Sequence, residues 1–309
     1  MFARGFRSLV GFLRFTFMSA SYSQLKAFHA VAVHGGFSRA AEKLCLSQPA
    51  ISDQVRKLEA HFEVALFHRN RRQVQLTEPG RELLAITQRM FAAEAEADEL
   101  LRSHGALQRG SLALSVDSAV HLLPALACFS RAYPGIRLKL AAGNSSQSLT
   151  RLFDYQADLA VVGWHPDDGR LLSMKLAEHP IVAFAAAGHP WAARRQLSLV
   201  DLAGLPLILR EQGSHTRQVL EEEMQRAGLG IEQAIEVEGR EAVSELVAAG
   251  VGVGIVSAAE LGGDTRLCAI EIRDCTRRMP EYLVTLREHE SRSAIRAFLA
   301  SVRQAQPVS

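Results

Sequence analysis

The sequence predicts an α/β protein that carries a separate all-α domain at its N-terminus. From Ser23 to about residue 103, apolar residues recur at spacings of three and four, the period of an amphipathic helix. After Gly110 the pattern changes to short apolar runs separated by helical stretches, which is typical of α/β sheets. A chain of 309 residues is long enough for two or three globular units.

The composition favours a folded protein of the cytoplasm. Hydrophobic residues make up 48% and charged residues 22% of the chain. No uninterrupted apolar stretch reaches the roughly 18 residues of a membrane-spanning helix, so no membrane partner is expected. The four cysteines include no C-x-x-C pair, which favours a reducing compartment over a disulfide framework. Residues 1–109 hold 15 Lys or Arg against 10 Asp or Glu, so a polyanionic partner is expected for this part.

The first 20 residues are expected to stand apart from the fold. Three arginines alternate with phenylalanines there, and no acidic residue occurs before residue 42. A secretion signal is one interpretation, but Arg14 interrupts the apolar run that such a signal needs. The other interpretation is that translation begins at Met18, and residues 1–20 are then a disordered or misassigned start.

Three helices are predicted for residues 21–65. Leu25, Phe28 and Val31 line one face of the first helix, which ends at a glycine pair. Ser38 is expected to cap a short second helix, whose Ala40 and Ala41 let the next helix cross closely.

Ser47 is the expected cap of a third helix, and Pro49 is tolerated in its first turn. This third helix has one apolar and one polar face. Ile51, Val55, Leu58 and Phe62 form the core stripe. The polar face starts with Gln48 and Ser52, one turn apart, where side chains of a recognition helix reach base edges in the major groove.

Three arginines then cluster at Arg69, Arg71 and Arg72, a basic hairpin able to follow phosphates. Each feature alone also fits an ordinary three-helix domain with solvated charges. Their order and spacing predict a winged helix-turn-helix domain over residues 21–78.

These residues resemble the family of LysR-type transcriptional regulators. The resemblance is carried by FSRAAEKL at 37–44, SQPAIS at 47–52, LE at 58–59, LFHR at 66–69 and TEPG at 77–80. It implies a regulator that binds double-stranded DNA, and it places the family's usual DNA contacts on Gln48, Pro49, Ser52 and Arg72. The full set of DNA-binding candidates is Ser38, Gln48, Pro49, Ser52, Asp53, Arg56, Arg69, Arg71 and Arg72.

Asp53 departs from the family pattern, since many relatives place a basic or neutral polar residue there. A carboxylate can accept a hydrogen bond from cytosine N4, or it can favour the helix N-terminus through the helix dipole. The dipole is the preferred interpretation.

Residues 79–106 are predicted to form a linker helix of about 40 Å. Its apolar side needs a partner helix, and the resemblance implies pairing of two linker helices in a homodimer or homotetramer. Packing against its own subunit is the alternative. The predicted dimerisation residues are Leu83, Leu84, Met90 and Phe91.

Residues 107–309 are expected to bind a small-molecule effector. Strands alternate with helices, and the resemblance implies two doubly wound α/β subdomains like those of periplasmic binding proteins. Subdomain I is predicted over 110–180 and 274–309, and subdomain II over 181–273. RNA polymerase is a further partner that the resemblance implies.

Effector candidates follow predicted strands, where helix starts attract anions. Routine helix capping is the alternative for each serine. Three segments also resemble, more faintly, the family branch associated with aminoethylphosphonate catabolism, so the effector is expected to be a phosphonate or carboxylate. The candidates are Ser115, Ser118, Ser145, Ser146, Ser214, Thr216 and Arg217.

Other classes of protein fit less well. No G-x-S-x-G, Walker A or H-E-x-x-H motif occurs, so neither an enzyme nor a cofactor or metal site is expected. A solute-binding protein of a transport system would match residues 110–309, but an exported protein of this kind does not need a helix-turn-helix domain such as residues 21–76. A thiol switch between Cys268 and Cys275 would need exposed thiols, whereas Cys268 lies in an apolar run that predicts a buried strand.

Overall fold

The computed structural model describes residues 19–68, 74–102 and 110–306. The chain divides into a helical unit that ends at Ala93 and an α/β unit that begins at Glu94. The segment expected to be disordered or misassigned lies outside the described residues as far as residue 18. Among the helices of the described ranges, none combines the length and apolar character that crossing a bilayer requires.

The helical unit contains three short helices around one core. They are α1 (Tyr22–His34), α2 (Phe37–Leu44) and α3 (Gln48–Phe62). Phe67 and Leu76 form an antiparallel bridge that closes a hairpin beneath them. The predicted apolar stripes form this core, whose most buried members are Ala27, Phe28, Val31, Ala40, Ile51, Val55 and Leu58.

Local sequence explains where these helices begin and end. Ser21 caps α1 in a reciprocal box with Gln24, and Gly35 ends it at a φ of 65°. Ser47 caps α3 by accepting a hydrogen bond from the backbone of Ala50, as predicted. The predicted cap of α2 was wrong, because the helix begins at Phe37 after Gly36, and Ser38 lies within its first turn.

A long helix, α4 (Glu78–Arg102), follows the hairpin. Thr77 positions its start by donating a hydrogen bond to the carbonyl of Ala65 and accepting one from the backbone of Gly80. Gly80 has a steric role, since a Cβ there would collide with the carbonyl oxygen of Leu66. The TEPG sequence therefore fixes the helix against the base of the hairpin.

The α/β unit begins with β1 and alternates strands and helices to its end. The strands are β1 (Gly110–Val116), β2 (Ile136–Ala142), β3 (Leu159–Val162), β4 (Leu171–Ala186), β5 (Gln196–Leu197), β6 (Pro206–Arg210), β7 (Gln233–Val237), β8 (Val253–Ser257), β9 (Leu267–Ile272) and β10 (Arg278–Leu286). The helices are α5 (Leu123–Ala132), α6 (Ser145–Phe153), α7 (Leu199–Ala203), α8 (His215–Arg226), α9 (Arg240–Ala248) and α10 (Ser293–Ala305).

The long strand β4 joins two sheets, each with its own core. The first has the order β2-β1-β3-β10-β4, and β10 runs antiparallel to both of its neighbours. The second contains β4, β8, β6 and β7, with β9 and β5 alongside. Strand β4 pairs with β10 as far as Pro180 and with β8 from Ile181 onward. We call the layers around these sheets subdomain I and subdomain II.

Parallel strands in both subdomains end at the space between them. Strands β1 and β2 are parallel, as are β6 and β7. Their carboxyl ends lead into Asp117, Asn144, Glu211 and Glu238, and the carboxyl ends of parallel strands are where ligands of such sheets bind. We call the space between these strand ends the cleft.

Candidate functional site

The exposed face of α3 holds the predicted reading residues. Gln48, Pro49 and Ser52 are exposed near the start of the helix, and Arg56 follows one turn later. Ile51 and Val55 on the opposite face are buried, at 1% and 2% exposure. The core therefore fixes the rotation of α3 and leaves one polar face free for a groove of DNA.

Asp53 does not take the role at the helix start that was preferred for it. No acidic residue lies in the first turn of α3, and Asp53 lies in the second. Its carboxylate contacts Arg56 at 2.8 Å and Lys57 at 2.7 Å. Hydrogen bonds from Lys57 and Arg56 lower the pKa of Asp53, so it stays ionised and holds both cations on the surface of α3.

Glu59 fixes the hairpin that follows α3, a role that the sequence patterns alone did not indicate. Its Oε1 accepts hydrogen bonds from the backbone N–H groups of Leu66, at 2.8 Å, and Phe67, at 3.2 Å. These bonds orient the chain that enters residues 69–73. The predicted phosphate contacts Arg69, Arg71 and Arg72 lie outside the described residues.

Three of the four predicted dimerisation residues pack within their own subunit. Leu83 and Leu84 pack against the helical core. The ring of Phe91 lies 5.8 Å from that of Tyr22 and 4.7 Å from that of His29. The expectation that these residues face a partner helix was wrong, because α4 uses this side to cover α1.

A different stripe of α4 is exposed. Ile86 is 52% and Leu101 is 74% exposed, and the exposed Ala93 and Ala97 lie between them at helical spacing. Met90, the fourth predicted residue, is half-buried and follows Ile86 by one turn. A helix that exposes an apolar stripe of this length is typical of helix pairing.

Charged residues connect the two subdomains across the cleft. Asp117, which follows β1, accepts a hydrogen bond of 3.0 Å from Arg210 at the end of β6. It also contacts Arg240, at the start of α9, at 3.3 Å. The Arg210 side chain is only 7% exposed, and its other nitrogens donate to Glu211. We call Asp117, Arg210 and Arg240 the cleft latch.

Asn144 makes a second connection beside the latch. Its Oδ1 caps α6 by accepting from the backbone of Gln147, while its Nδ2 donates to Glu211 and to the carbonyl of Gln212. Burial alone would raise the pKa of Glu211, but the hydrogen bonds from Arg210 and Asn144 lower it to about 2. Glu211 is therefore ionised and holds partners from both subdomains.

Two cavities lie on either side of Asp117. The outer cavity is open and about 260 Å³ in volume. Among its lining residues are Asn144, Gln147, Arg210 and Arg240. The inner cavity is much smaller and has room for about 10 Å³. It is lined by Asp117, Ser118, Ser145, Val161, Val162, Gly163, His215, Glu260, Met279 and Glu281.

Of the predicted effector residues, only Ser118 and Ser145 line one of these cavities. The hydroxyl of Ser115 is fully buried. It contacts the hydroxyl of Ser148 and accepts a hydrogen bond from the guanidinium group of Arg151. Thr216 is turned toward Met279.

Ser214 begins α8 without capping it, and its buried Oγ has no hydrogen-bond partner among the described residues. Ser146 is exposed beside the cleft, with its N–H 3.5 Å from the carbonyl of Gly213. Arg217 binds Glu221, Glu236 and the carbonyl of Arg210, so the arginines that reach the cleft are Arg210 and Arg240 instead.

A pair of buried carboxyl groups closes the inner cavity. Glu281 lies near the start of β10, and Glu260 lies in the short turn after β8. Burial first, and then the neighbouring Glu260, raises the pKa of Glu281 to about 8. Burial also raises the pKa of Glu260. The two carboxyl groups are hydrogen-bonded to each other, so they share a proton at neutral pH.

The two cysteines of the considered thiol switch are both free and partly buried. Burial raises the pKa of the Cys275 thiol. A reactive thiol needs the opposite shift, so the geometry gives no support to a redox role.

Two family models match the chain. "Bacterial regulatory helix-turn-helix protein, lysR family" matches residues 22–81, and "LysR substrate binding domain" matches residues 105–307. The RuBisCO operon transcriptional regulator of Allochromatium vinosum is 36% identical over 286 residues, covering 91% of this chain and 95% of that protein. The regulator CfxR of Cupriavidus necator is 35% identical over 253 residues, covering 81% and 80%.

Solved structures show the same architecture. Full-length OxyR of Pseudomonas aeruginosa aligns with a TM-score of 0.72 at 20% identity, covering 92% of this chain and 95% of that chain. CbnR in complex with its target DNA aligns with a TM-score of 0.66 at 21% identity, covering 93% and 100%. The regulatory domain of CcmR from Synechocystis, in complex with 2-PG, aligns at 0.57 and 25% identity, covering 63% and 97%.

These matches confirm the predicted fold class and the resemblance on which the sequence analysis relied. They also agree with the expectation that the chain is not an enzyme, since its relatives are named as transcriptional regulators. The relatives at 34–36% identity include regulators of the RuBisCO operon, CfxR and CbbR, and these names do not refer to phosphonate catabolism. The chain belongs to the LysR family of DNA-binding transcriptional regulators.

Proposed function

We propose that this regulator reads its operator with the exposed face of α3 and responds to a small anionic metabolite in the cleft. The DNA contacts of this proposal are Gln48, Pro49 and Ser52, with Arg56 and the arginines of residues 69–73 on phosphates. Pairing of α4 in a homo-oligomer presents two such faces to one operator. RNA polymerase as a partner and action in the cytoplasm are parts of the same proposal.

The cleft latch is the observation that carries the effector proposal. Arg210 and Arg240 belong to subdomain II and share one carboxylate, Asp117, which belongs to subdomain I. An anion that enters the outer cavity meets both guanidinium groups and competes with Asp117 for them. Such a ligand replaces a bond between the subdomains. Its affinity therefore differs between the arrangement of the subdomains in which this bond is formed and the one in which it is broken. A difference of this kind shifts a conformational equilibrium.

Two kinds of anion deserve comparison. The faint resemblance to phosphonate-associated regulators suggests aminoethylphosphonate, and the related CcmR domain is in complex with 2-PG. Both are small enough to reach the latch through the outer cavity of about 260 Å³. The names of the relatives make the RuBisCO operon the first operator to test.

A thermal-shift screen of the full chain tests this proposal. A ligand that binds only the folded protein raises the melting temperature by mass action. We expect 2-PG or aminoethylphosphonate to raise it, and Arg240→Gln to abolish the rise, while Arg226→Gln on the exposed end of α8 leaves it intact. Operator affinity should change with the same ligand. If each anion raised the melting temperature of Arg240→Gln and of Arg226→Gln by the same amount, the effector site would lie outside the cleft latch.

A further inference from the structure

The inner cavity has the dimensions of a subsite for one small group. Its room of about 10 Å³ corresponds to roughly one water-sized sphere. Asp117 lines this cavity and the outer one, so a ligand held at the latch in the outer cavity lies next to it. Gly163 and His215 bring the two subdomains together at its wall, where a Cβ on Gly163 would collide with the imidazole.

Three polar atoms of residues that line this cavity are buried and lack partners. Apart from the contact between the two carboxyl groups and that of Ser118 with Glu260, Glu260 Oε2, Glu281 Oε2 and His215 Nδ1 have no hydrogen-bond partner among the described residues. The Glu260 side chain is 2% exposed, Glu281 is 4% exposed and His215 is 8% exposed. Buried polar atoms are almost always satisfied in folded proteins, so several orphaned atoms around one cavity indicate a missing partner.

The neighbouring groups supply only part of what these atoms need. Arg240 reaches Glu260 through Oε1, at 2.8 Å. Nε2 of His121 lies 3.4 Å from Glu281 Oε2. Burial and then His179 lower the pKa of His121, so the ring stays neutral. A proton shared between Glu260 and Glu281 satisfies one bond and leaves further acceptor sites open.

We propose that the inner cavity binds a hydroxyl or ammonium group of the effector, which donates hydrogen bonds to Glu260 and Glu281. This inference rests on the proposed function and narrows the class of ligand. The effector is then a small anion that also carries a hydrogen-bond donor, with its anionic end at Arg240 in the outer cavity and its donor in the inner one. A simple anion without a donor leaves these acceptor sites open and faces the charge that remains on the pair.

Matched ligand pairs test this inference on the full-length protein by calorimetry. Glycerol 3-phosphate is compared with propyl phosphate, and aminoethylphosphonate with ethylphosphonate; within each pair only the second compound lacks the donor. We expect the donor-bearing member of at least one pair to bind about 10- to 150-fold more tightly, the usual effect of one hydrogen bond to a charged group. Glu281→Gln should reduce this ratio, and the control Glu178→Gln, on the exposed part of β4, should not.

The outcomes separate this inference from the proposed function. Equal affinities within both pairs would overturn the donor inference and leave an anion site at the latch. A ratio that survives in both Glu281→Gln and Glu260→Gln would also overturn it, because the donor then binds elsewhere. Should neither pair bind at millimolar concentration, the inference fails, and the thermal-shift result with Arg240→Gln decides separately whether the proposed function fails with it.

Discussion

Glu281 is a residue whose protonation contributes directly to stability. Burial and the adjacent Glu260 raise its pKa to about 8 in the folded protein, against 4.5 for an ordinary glutamate. Asp117 and Arg240 complete its charged surroundings, and the neutral ring of His121 lies 3.4 Å from it. At this group the folded chain therefore binds more protons than the unfolded chain between pH 4.5 and about 8, and the group's contribution to the free energy of unfolding falls as the pH rises through this window.

Replacing Glu281 by Gln should remove this pH dependence. The neutral amide carries no charge that burial can penalise, so the variant should be more stable than the wild type at pH 8 to 9. The wild-type slope should reach at most about 1.4 kcal/mol per pH unit from this one group. Urea unfolding of both proteins between pH 6 and 9 measures the difference, with Glu178→Gln as the control. Parallel profiles for wild type and Glu281→Gln would show that the carboxyl is not buried as described.

Gln48 is the residue on which the DNA-reading proposal depends most. Gln48→Ala should relax the preference for one base pair and cost about 1–3 kcal/mol on the specific operator, because a bidentate contact to a base edge is lost. Affinity for unrelated DNA should change little, since phosphate contacts remain. Competition binding with single-base operator variants measures this, and Gln225→Ala, exposed at the end of α8, is the control. Unchanged selectivity would mean that another surface reads the bases.

The types of residue that line the cleft could be predicted from the sequence, but the directions in which their side chains point could not. Polar residues after β1, β2 and β6 were expected at the cleft, and Ser118 and Ser145 are there. Of two arginines seven residues apart, Arg217 was chosen, although Glu221 one helical turn later is a partner for it on the same helix face. Arg210, the last residue of β6, reaches the cleft because it stands at the carboxyl end of its strand.

At the scale of elements, the long helix α4 shows what periodicity predicts and what it leaves open. The apolar pattern predicted one long amphipathic helix, and the structure has it from Glu78 to Arg102. A helix with two apolar stripes can cover its own subunit with one and a partner with the other. The stripe with the larger side chains, Leu83, Leu84 and Phe91, covers α1, so the smaller exposed stripe from Ile86 to Leu101 remains for a partner.

Ile86→Glu should therefore disrupt oligomers without unfolding the helical unit. A glutamate in an apolar helix pair is buried without a partner, which is unfavourable by a few kcal/mol. Sedimentation velocity should show smaller species, operator affinity should fall, and helicity by circular dichroism should persist. Leu84→Glu should instead lower the melting temperature, because Leu84 packs on the helical core. A fully assembled Ile86→Glu variant, with the exposed Val251→Glu as control, would refute pairing through this stripe.

Elements with mixed composition were the ones that the patterns missed. The second half of β4 is one of the short apolar runs that indicate a strand, whereas its first half contains Lys175, Glu178 and His179 and alternates between more and less buried positions. Strand β10 has the same character, with Arg278, Pro280 and Glu281 at its start. These polar residues make the composition of both segments resemble that of a loop.

At the scale of the whole chain, the order of the domains could be predicted, but the contacts between residues across the cleft could not. Short motifs such as SQPAIS report local structure, and local structure can be read from neighbouring residues. The bond between Arg210 and Asp117 joins positions 93 residues apart. Their encounter depends on the order of strands in two sheets and on the crossing of β4 between them, and a single sequence does not contain that information in its periodicity.

The latch gives a last prediction about how the cleft signals. Asp117→Asn removes the carboxylate that Arg210 and Arg240 share, while Glu211 and Glu260 keep each guanidinium partly satisfied. The subdomains should then be held together less firmly, and an anionic effector should no longer compete for its site. We expect effector affinity to rise about 5- to 150-fold, a coupling free energy of about 1–3 kcal/mol.

Calorimetry with 2-PG and aminoethylphosphonate measures that affinity, and operator binding without effector measures the signal. The variant should bind its operator without effector as the wild type does with effector, because loss of the same bond shifts the same equilibrium. The control Asp168→Asn removes a partly exposed carboxylate that pairs only with Arg170 among the ion pairs of the described residues. An Asp117→Asn protein with wild-type affinity for effector and operator alike would show that the latch does not couple the two sites.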